Sequence, residues 1–411
     1  MKIHKVCNDN NRHNYLQKMV FKKLQKIEKG EIIWHEQQME KKFGTSSQGL
    51  KATVTIHHKN FYKKFLWRGS LGLAESYMEG DWSCDNLTVL MQIIIANETT
   101  LLALEKGWSF TGHIFRMLRN MISYSPIKKS RKNILYHYDL SNDFFKLFLD
   151  RKMMYSSAVF DNSYNDLERA QTKKLSLVCE QLQLKQTDHL LEIGTGWGAL
   201  AIYAVQNYQC KVTTTTISDA QYEYVSNKIK ALNLEKNICL LKKDYRDLQG
   251  KYDKLVSIEM IESIGYKYFN KYFSVCDQLL KPGGLFLLQS IIINDQEYQR
   301  YKREIDFIKV YIFPGGCLPC IATISHSIKK NTTMRIKAIN DFGQDYATTL
   351  SHWHKRFTAN EKKIKQLGFD DKFMRMFKFY FCYCEAGFLS SYISVIHTLM
   401  EKNNAEIGVR Y

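Results

Sequence analysis

The stretch that decides the fold is LLEIGTGWGAL, residues 190–200. A short apolar run meets the acid Glu192, the glycines Gly194, Gly196 and Gly198 follow, and a helical pattern begins directly after them. Glycine lets the backbone approach a ligand closely, because a Cβ atom there would collide with it. The pattern is typical of a strand-to-helix turn that holds a nucleoside-bearing cofactor at the carboxyl edge of a parallel sheet, although such turns also occur without a ligand.

The spacing of the three glycines indicates which cofactor to expect. It is Gly-x-Gly-x-Gly, whereas dinucleotide-binding turns have Gly-x-Gly-x-x-Gly. Glu192 stands at the predicted strand end, where its negative charge suits a sulfonium or an ammonium group. Spacing and charge together favour S-adenosylmethionine over NAD.

From residue 133 onward, apolar strand patterns alternate with helical patterns. The predicted strands are residues 190–193, 212–217, 238–241, 255–258 and 285–289. The predicted helices between them are residues 197–207, 219–232 and 267–280, and KPGG at 281–284 predicts a turn before the last strand. Such alternation indicates a doubly wound parallel sheet. We therefore expect an α/β fold with a Rossmann-like sheet of the class I methyltransferase kind.

The amino-terminal part has a different character. A helical pattern covers residues 15–33, an alternating strand pattern covers 52–56, and a loop-helix unit covers 69–82. These patterns predict a small, largely helical α+β domain over residues 1–100, which we expect to associate with lipid or membrane. Residues 101–132 mix aromatic and aliphatic side chains with Arg and Lys and predict a basic amphipathic linker. The linker either lies in a membrane interface or packs on the catalytic domain, which we assign to residues 133–411.

The positive net charge of the chain indicates which kinds of partner to expect. The 411-residue chain carries a formal net charge of +18, which favours a polyanion such as nucleic acid or an anionic membrane surface. The alternative is that lysine-rich faces only keep the protein soluble. No zinc pattern or aromatic β motif supports nucleic acid binding, so we expect no nucleic acid partner. The start of the chain is polar and no run of about 18 apolar residues occurs, so any membrane association is expected to be peripheral.

The 10 cysteines do not form a metal-binding pattern. Cys317 and Cys320 make a single Cys-x-x-Cys pair, and a zinc site would need further ligands at similar spacing. We expect no metal, and free, reduced cysteines in a cytoplasmic protein.

Candidate cofactor contacts follow the second and third predicted strands. Thr216, Ser218 and Gln221 stand where many Rossmann-like folds place an acid for the ribose hydroxyls, unless Asp219 reaches that position. The other candidates are Asp244 and Tyr245. The carboxylate of Asp244 suits an adenine amino group, and the tyrosine ring suits the adenine face. The alternative for Asp244 is a cap on the helical turn that begins after it.

Two acids follow the predicted strand 255–258. Glu259 and Glu262 have the apolar neighbours Met260, Ile261 and Ile264, which indicate partial burial. A carboxylate held in such surroundings often has a chemical role. The alternative is a solvated helix start, where acids interact favourably with the helix dipole.

An ordered set of short motifs identifies a resemblance. The chain resembles the cyclopropane-fatty-acyl-phospholipid synthase family, which includes the mycolic and fatty acid cyclopropane synthases, over most of its length. The motifs are GSLGLAESY (69–77), GDW (80–82), HYDLSNDFF (137–145), MMYSSA (153–158), SIEMIE (257–262), DF (306–307), YIFPGGCLP (311–319), DYATTL (345–350) with Trp353, and YCEAGF (383–388).

The resemblance implies a one-carbon transfer. S-adenosylmethionine presents a methyl group to the cis double bond of an unsaturated phospholipid acyl chain, and loss of a proton closes a cyclopropane ring. An alkene is a weak nucleophile, so proximity contributes much of the rate. The base implied by the resemblance is a bicarbonate ion, which suits a carbocation that needs a nearby anion.

The resemblance also implies site residues. Glu262, Tyr346 and Ile291 match positions of the bicarbonate site, whereas Ser157 replaces a cysteine of the family and Gln289 replaces a histidine. Both replacements keep a hydrogen-bond donor. Cys384 matches a cysteine proposed as catalytic, and its alternative is a buried structural thiol. Tyr155 and Ser156 are expected to contact the cofactor.

These observations predict a cytoplasmic enzyme that associates peripherally with the inner face of the membrane, and a homodimer is one assembly that we consider. Two alternatives stay open. The same carbocation can give a methylene- or methyl-branched chain if a different proton is lost or the cation is reduced. A lipid-binding protein that has lost turnover is the other alternative, and only Ser157 and Gln289 favour it.

Overall fold

The computed structural model describes residues 3–46, 49–98, 100–101, 140–161 and 165–404, with side chains from residue 14 onward. Apart from residue 101, the predicted basic linker lies outside these described residues, as does the start of the HYDLSNDFF motif. The chain divides into two compact units. The smaller comprises the described residues of Met1–Tyr124 with Glu304–Val310 and Glu361–Tyr392, and the larger comprises those of Ser125–Arg303, Tyr311–Asn360 and Ile393–Tyr411. Residues 361–392, which the sequence placed in the catalytic domain, therefore group with the amino-terminal residues.

The smaller unit contains a four-stranded sheet beside helices. Its strand order is β2-β1-β3-β4, with a parallel β1–β3 pair and antiparallel β1–β2 and β3–β4 pairs. The strands are β1 Gly30–Glu36, β2 Met39–Thr45, β3 Lys51–Ile56 and β4 Trp82–Cys84. The helices are Ile3–Leu24, Asn60–Met78, Leu87–Ala96, Glu361–Gln366 and Asp371–Leu389.

The predicted helix over residues 15–33 is wrong at its carboxyl end. The helix ends at Leu24 and strand β1 begins at Gly30, whose φ of +90° breaks the helical path. Burial along β1 then alternates strictly, because Ile32 and Trp34 face the core while their neighbours are half-exposed. A period of two identifies a strand with one buried face.

The larger unit is built on a seven-stranded sheet. The order is β10-β11-β9-β8-β5-β6-β7, in which β5 to β9 are parallel and β10 and β11 are antiparallel additions at one edge. The strands are β5 His189–Ile193, β6 Lys211–Thr215, β7 Ile238–Leu241, β8 Tyr252–Ile258, β9 Leu280–Ile293, β10 Met334–Asp341 and β11 Ile393–Lys402. The predicted α/β fold with a parallel sheet is confirmed.

The helices of the larger unit follow the predicted alternation. They are Asn142–Lys146, Leu167–Gln181, Ala199–Tyr208, Asp219–Ala231, Phe269–Leu279, Asp295–Arg303, Ile321–Asn331 and Gly343–Ala359. Short turns of 3₁₀-helix are Tyr245–Asp247, Ile261–Ser263 and Tyr266–Tyr268. The π-helical turn Ile308–Ile312 begins in the segment assigned to the smaller unit and ends in the larger unit, which resumes at Tyr311. KPGG is not a separate turn: residues 281–284 bulge within β9, between the paired residues Leu280 and Leu285.

Both faces of the parallel sheet are covered. Leu191 and Leu255 pack in one hydrophobic cluster, whereas their neighbours Leu190 and Val256 pack in another on the opposite face. Successive side chains of a strand point to opposite faces, so this division marks a sheet between two helical layers. The chain enters the sheet at β5, which has β6 on one side and β8 on the other. The crevice at the carboxyl ends of these strands is where such folds bind ligands.

Candidate active site

The glycine turn lies at the carboxyl end of β5. Gly194 and Gly196 have φ values of +98° and +53°, which L side chains rarely adopt, and both line a pocket at this edge of the sheet. Gly198 has a different place: it lies outside the pocket wall and precedes the helix Ala199–Tyr208. A Cβ on Gly198 would approach Val225 Cγ1 to 3.0 Å, so this glycine serves close packing.

The pocket is formed by the loops that follow β5, β6, β7 and β8, together with the segment before the helix Leu167–Gln181. Every predicted cofactor residue except Gly198 lies in its wall. The predicted residues in the wall are Tyr155, Ser156, Glu192, Gly194, Gly196, Thr216, Ser218, Gln221, Asp244 and Tyr245.

Glu192 is a buried carboxyl group in the pocket wall. It is 4% exposed, and Thr214 Oγ1 donates a hydrogen bond to its Oε2 at 2.6 Å. Burial raises the pKa of Glu192 to about 8, with the threonine hydrogen bonds opposing the rise. A nearby positive charge favours the ionised form of such a carboxyl. The site therefore fits a ligand that brings a cation to the end of β5.

The residues after β6 are held by their own hydrogen bonds. Thr216 Oγ1 donates to Gln221 Oε1 at 2.8 Å, and Ser218 caps the helix Asp219–Ala231 by accepting from Gln221 N. The oxygen of the Gln221 amide is thus engaged, so its nitrogen is the part of the amide that can donate to a ligand. Asp219 lies outside the wall, where its exposed carboxylate pairs with Lys242.

Asp244 takes the capping position that was the alternative for it. It accepts hydrogen bonds from Arg246 N at 3.0 Å, Arg246 Nε at 2.8 Å and Arg246 Nη2 at 2.6 Å. An adenine amino group would have to share this carboxylate with the guanidinium. The neighbouring Tyr245 is buried against Tyr272, and its hydroxyl has no hydrogen-bond partner among the described residues. A buried polar atom left in this way indicates a place for a ligand atom.

A second cluster of polar groups meets at Glu259, which lines the same pocket. Its Oε1 accepts from Ser157 N at 2.9 Å and from Gln289 Nε2 at 2.7 Å, and its Oε2 accepts from Tyr346 OH at 2.8 Å. Glu259 has a φ of +49°, a conformation that a non-glycine residue seldom keeps without a structural or functional reason. Burial raises the pKa of Glu259, and these donors and Lys174 oppose the rise.

Glu262 lies beside this cluster with different partners. Its Oε1 accepts from Ile291 N at 2.5 Å, so Ile291 contributes its backbone and not its side chain. Its Oε2 is buried and has no hydrogen-bond partner among the described residues. Burial, and then the charge of Glu259, raise the pKa of Glu262 to about 8. Two adjacent carboxyl groups whose pKa values are raised share protons rather than both ionising.

Comparison with known proteins decides the family. A family profile described as mycolic acid cyclopropane synthetase matches residues 126–398. The chain belongs to this family. It is 36% identical to the cyclopropane-fatty-acyl-phospholipid synthase of Escherichia coli K12 over 364 residues, which are 87% of this chain and 90% of that protein. It is 34% identical to the tuberculostearic acid methyltransferase UfaA1 of Mycobacterium tuberculosis over 351 residues, which are 84% of this chain and 82% of that protein.

Solved structures of cyclopropane synthases share the fold. The cyclopropane synthase MmaA2 from Mycobacterium tuberculosis aligns with a TM-score of 0.62 and 27% identity, covering 66% of this chain and 98% of that one. The mycolic acid cyclopropane synthase CmaA1 complexed with SAH and CTAB aligns with a TM-score of 0.63 and 28% identity, covering 68% of this chain and 99% of that one. Each alignment covers about two thirds of this chain and is consistent with the class I methyltransferase fold described above.

In this family member, a buried lysine that the sequence analysis missed also lines the pocket. Lys174 is fully buried, and its Nζ donates to Ser156 Oγ at 2.6 Å. Burial lowers the pKa of Lys174 to about 8, and the charges of Glu259 and Asp150 oppose the fall. Lys174 lies four residues from each of the buried residues Ala170 and Val178, on the same face of the helix. This spacing was the sequence feature that could have predicted its burial.

Two of the predicted catalytic residues have structural surroundings that argue against direct chemistry. Ser157 Oγ donates to the carbonyl of Ala158 at 2.9 Å, so its backbone N–H, not its hydroxyl, reaches Glu259. Cys384 lies on the helix Asp371–Leu389 of the smaller unit, and burial raises its pKa well above that of an ordinary thiol. A thiol with a raised pKa is a poor nucleophile.

The predicted bicarbonate ion does not fit the arrangement of these residues. The donors that the resemblance assigns to the ion, Ser157 N–H, the Gln289 amide and the Tyr346 hydroxyl, are engaged by Glu259, and Ile291 N–H is engaged by Glu262. A further anion would face two carboxyl groups. The carboxylate of Glu259 stands where the resemblance expects an anion.

Proposed function

We propose that the protein transfers a one-carbon unit from S-adenosylmethionine to the cis double bond of an unsaturated phospholipid acyl chain and forms a cyclopropane fatty acid. One observation carries the proposal: the carboxylate of Glu259, held by three donors, lines the same pocket as the glycine turn after β5. The match to the synthase of Escherichia coli supports the choice of substrate.

The pocket residues divide the work of binding. S-adenosylmethionine, when bound, supplies an electrophilic methyl group on a sulfonium. Glu192 would face the positive end of this molecule, and the raised pKa of its carboxyl would fall as the cation restores the ionised form. Gln221 would donate to a hydroxyl group, and Tyr245 would cover a flat ring.

Glu259 would act once the methyl group has been transferred. The acyl chain then carries a positive charge, which a preorganised carboxylate stabilises in a site without water. A C–H bond of the new methyl group breaks, its electron pair closes the ring, and the proton passes to Glu259. The three donors and Lys174 oppose the rise in the pKa of Glu259, whereas Glu262, with a pKa of about 8, would stay protonated at neutral pH. This difference between the two carboxyl groups assigns the role of base to Glu259 and not to Glu262.

A methylated product without a ring is the second candidate. The relative UfaA1 is named a tuberculostearic acid methyltransferase, and its 34% identity over 84% of this chain is close to that of the synthase. The same carbocation precedes both outcomes, and they differ in which proton is lost or whether the cation is reduced. Analysis of the product separates them.

Peripheral binding to an anionic membrane belongs to the same proposal. Among the described residues, none of the helices is long and apolar enough to span a bilayer. The net charge of +18 would attract an anionic lipid surface. We assign this contact to the amino-terminal domain or the basic linker, at the cytoplasmic face of the membrane, and homodimer formation stays a prediction.

The test is an incubation of purified protein with S-adenosylmethionine and liposomes of anionic monounsaturated phospholipid, followed by gas chromatography and mass spectrometry of the fatty acids. A saturated ring product, heavier by one CH₂, is expected. It is also expected in buffers freed of bicarbonate. A ring product that disappears without bicarbonate and returns when bicarbonate is added would overturn the role of Glu259. Cofactor binding with no product would overturn the proposed activity in favour of a lipid binder.

A further inference from the structure

His397 is a buried titratable residue that the proposed chemistry does not use. It lies on β11, directly opposite Gln289 of β9 in the antiparallel pair, and its side chain is fully buried. Its Nε2 is 3.0 Å from Gln289 Oε1, and its Nδ1 is 2.8 Å from Gln181 Oε1. The ring of Phe342 packs edge-on against it at 4.7 Å. The same Gln289 amide donates through Nε2 to Glu259. The Gln289 side chain therefore links the imidazole of His397 to the carboxylate of Glu259.

The imidazole is neutral in these surroundings. Burial, and to a smaller extent the positive charge of Lys174, lower the pKa of His397 to about 3. A neutral imidazole carries one N–H and one acceptor nitrogen. Both ring nitrogens face an amide oxygen, Nε2 that of Gln289 and Nδ1 that of Gln181, and one proton cannot serve both. Gln289 donates through its nitrogen to Glu259, which turns its oxygen to His397 and assigns the proton to Nε2. Nδ1 is then an acceptor. A half-turn of the Gln181 side-chain amide exchanges its oxygen and nitrogen, and the NH₂ group then donates to Nδ1.

This tautomer holds the Gln289 amide in the orientation that donates to Glu259. A glutamine amide can present either its oxygen or its nitrogen to a neighbour. With nitrogen toward Glu259 it donates to the carboxylate, whereas with oxygen toward Glu259 it would repel the carboxylate. The N–H of His397 pairs only with the first orientation. It therefore selects the orientation that supports ionised Glu259.

We propose that His397 is a positioning residue for the reaction: it fixes the Gln289 amide so that the amide donates to Glu259. The inference rests on the proposed function, since Glu259 is the base there. Loss of a donor to a carboxylate raises the pKa of that carboxylate. The other charged or titratable groups that act on Glu259 are Glu262, Lys174 and Tyr346.

The test compares His397→Leu with His397→Gln, whose amide nitrogen can replace the Nε2 donor. We expect His397→Leu to lower kcat roughly ten- to a hundredfold, with little change in the KM for S-adenosylmethionine, and to move the acidic limb of the pH–rate profile to higher pH. His397→Gln should restore most of kcat and the profile. Thr398→Val, at an equally buried neighbouring position of β11, is the matched control and should leave the profile in place.

The double variant His397→Leu/Gln289→Leu tests whether His397 acts through the Gln289 side chain. Because both side chains act through one hydrogen bond, the double variant should lose no more activity than Gln289→Leu alone. Additive losses, or a His397→Leu enzyme with an unchanged profile, would overturn the proposal. If His397→Leu does not fold, Gln181→Met replaces it, since this change removes the partner of Nδ1 and should shift the profile in the same direction.

A readout without turnover separates this inference from the proposed function. In protein labelled with ¹⁵N-histidine, the His397 imidazole should be neutral, with its proton on Nε2, from pH 5 to pH 9. A titrating imidazole, or a proton on Nδ1, would contradict the inference even in an active enzyme. An inactive wild type with the Nε2–H form present would instead refute the proposed activity.

Discussion

Two hydrogen bonds join Glu259, which directly follows β8, to Gln289 within the neighbouring parallel strand β9. Glu259 N donates to the Gln289 carbonyl at 2.9 Å, and Gln289 Nε2 donates to Glu259 Oε1 at 2.7 Å. The backbone bond continues the β8–β9 pairing by one residue while Glu259 adopts a φ of +49°. The left-handed conformation turns the carboxylate back to the strand ends, where Ser157 N and Tyr346 OH also reach it.

The first prediction separates the two adjacent acids. Glu259→Gln should keep S-adenosylmethionine binding and lose turnover by about 10²-fold or more, because the amide cannot accept the proton. Glu262→Gln should lose much less, since the amide resembles the protonated carboxyl that its pKa of about 8 favours at neutral pH. Cofactor affinity by calorimetry and turnover on liposomes check both.

Glu223→Gln is the control for this pair, because Glu223 is exposed on the helix Asp219–Ala231. It should behave as the wild type. Near-normal turnover of Glu259→Gln together with an inactive Glu262→Gln would reverse the assignment of the base.

The second prediction concerns the pH dependence of cofactor binding. Without a ligand, Glu192 has a pKa of about 8 and is protonated at neutral pH. A cation bound beside it requires the ionised form, so binding releases a proton and affinity rises as pH rises toward about 8. Glu192→Gln should bind more weakly and lose this dependence. Titrations in buffers of different ionisation enthalpy measure the proton release directly.

S-adenosylhomocysteine serves as the comparison ligand, because it lacks the sulfonium charge and keeps the ammonium. Equal proton release with both ligands would place Glu192 beside the ammonium. Binding of both ligands without any proton release would contradict the account of Glu192.

The third prediction concerns the buried lysine. Lys174→Met removes a positive charge that favours ionised Glu259, so the acidic limb of the pH–rate profile should move to higher pH. Lys173→Met, at the exposed neighbouring position, is the matched control. Identical profiles for the two variants would show that Lys174 only fills space beside Ser156.

Local patterns predicted much of the fold and fell short where distant segments pair. The alternation from residue 133 identified β5 to β9, because three of the five predicted strands are followed by a helix pattern. Strands β10 and β11 were missed, since they are antiparallel strands added beyond β9 and no predicted crossover helix precedes them. The helix expected over residues 15–33 ends at Leu24. Residues 30–36 form strand β1 instead, in which every second side chain is buried.

The wall of the pocket was predictable for a similar reason. Residues at or just after the carboxyl ends of parallel strands meet at one edge, so Glu192, Thr216 and Asp244 could be named from their position at each strand end. The partners of Glu259 could not be derived locally, because Ser157 and Tyr346 lie 102 and 87 residues away in sequence. The resemblance named those partners, yet it attached them to Glu262. The positive φ of Glu259 and its bond to Gln289 exist only in the folded sheet.

The most direct measurement uses S-adenosylmethionine with a trideuterated methyl group and liposomes of monounsaturated phospholipid, without bicarbonate. We predict a saturated cyclopropane product that keeps two deuterium atoms, because Glu259 removes one deuteron from the transferred methyl group. The Glu259→Gln protein should give no such product while still binding the cofactor. A methyl-branched product that keeps all three deuterium atoms, or full cyclopropane formation by Glu259→Gln, would contradict the account.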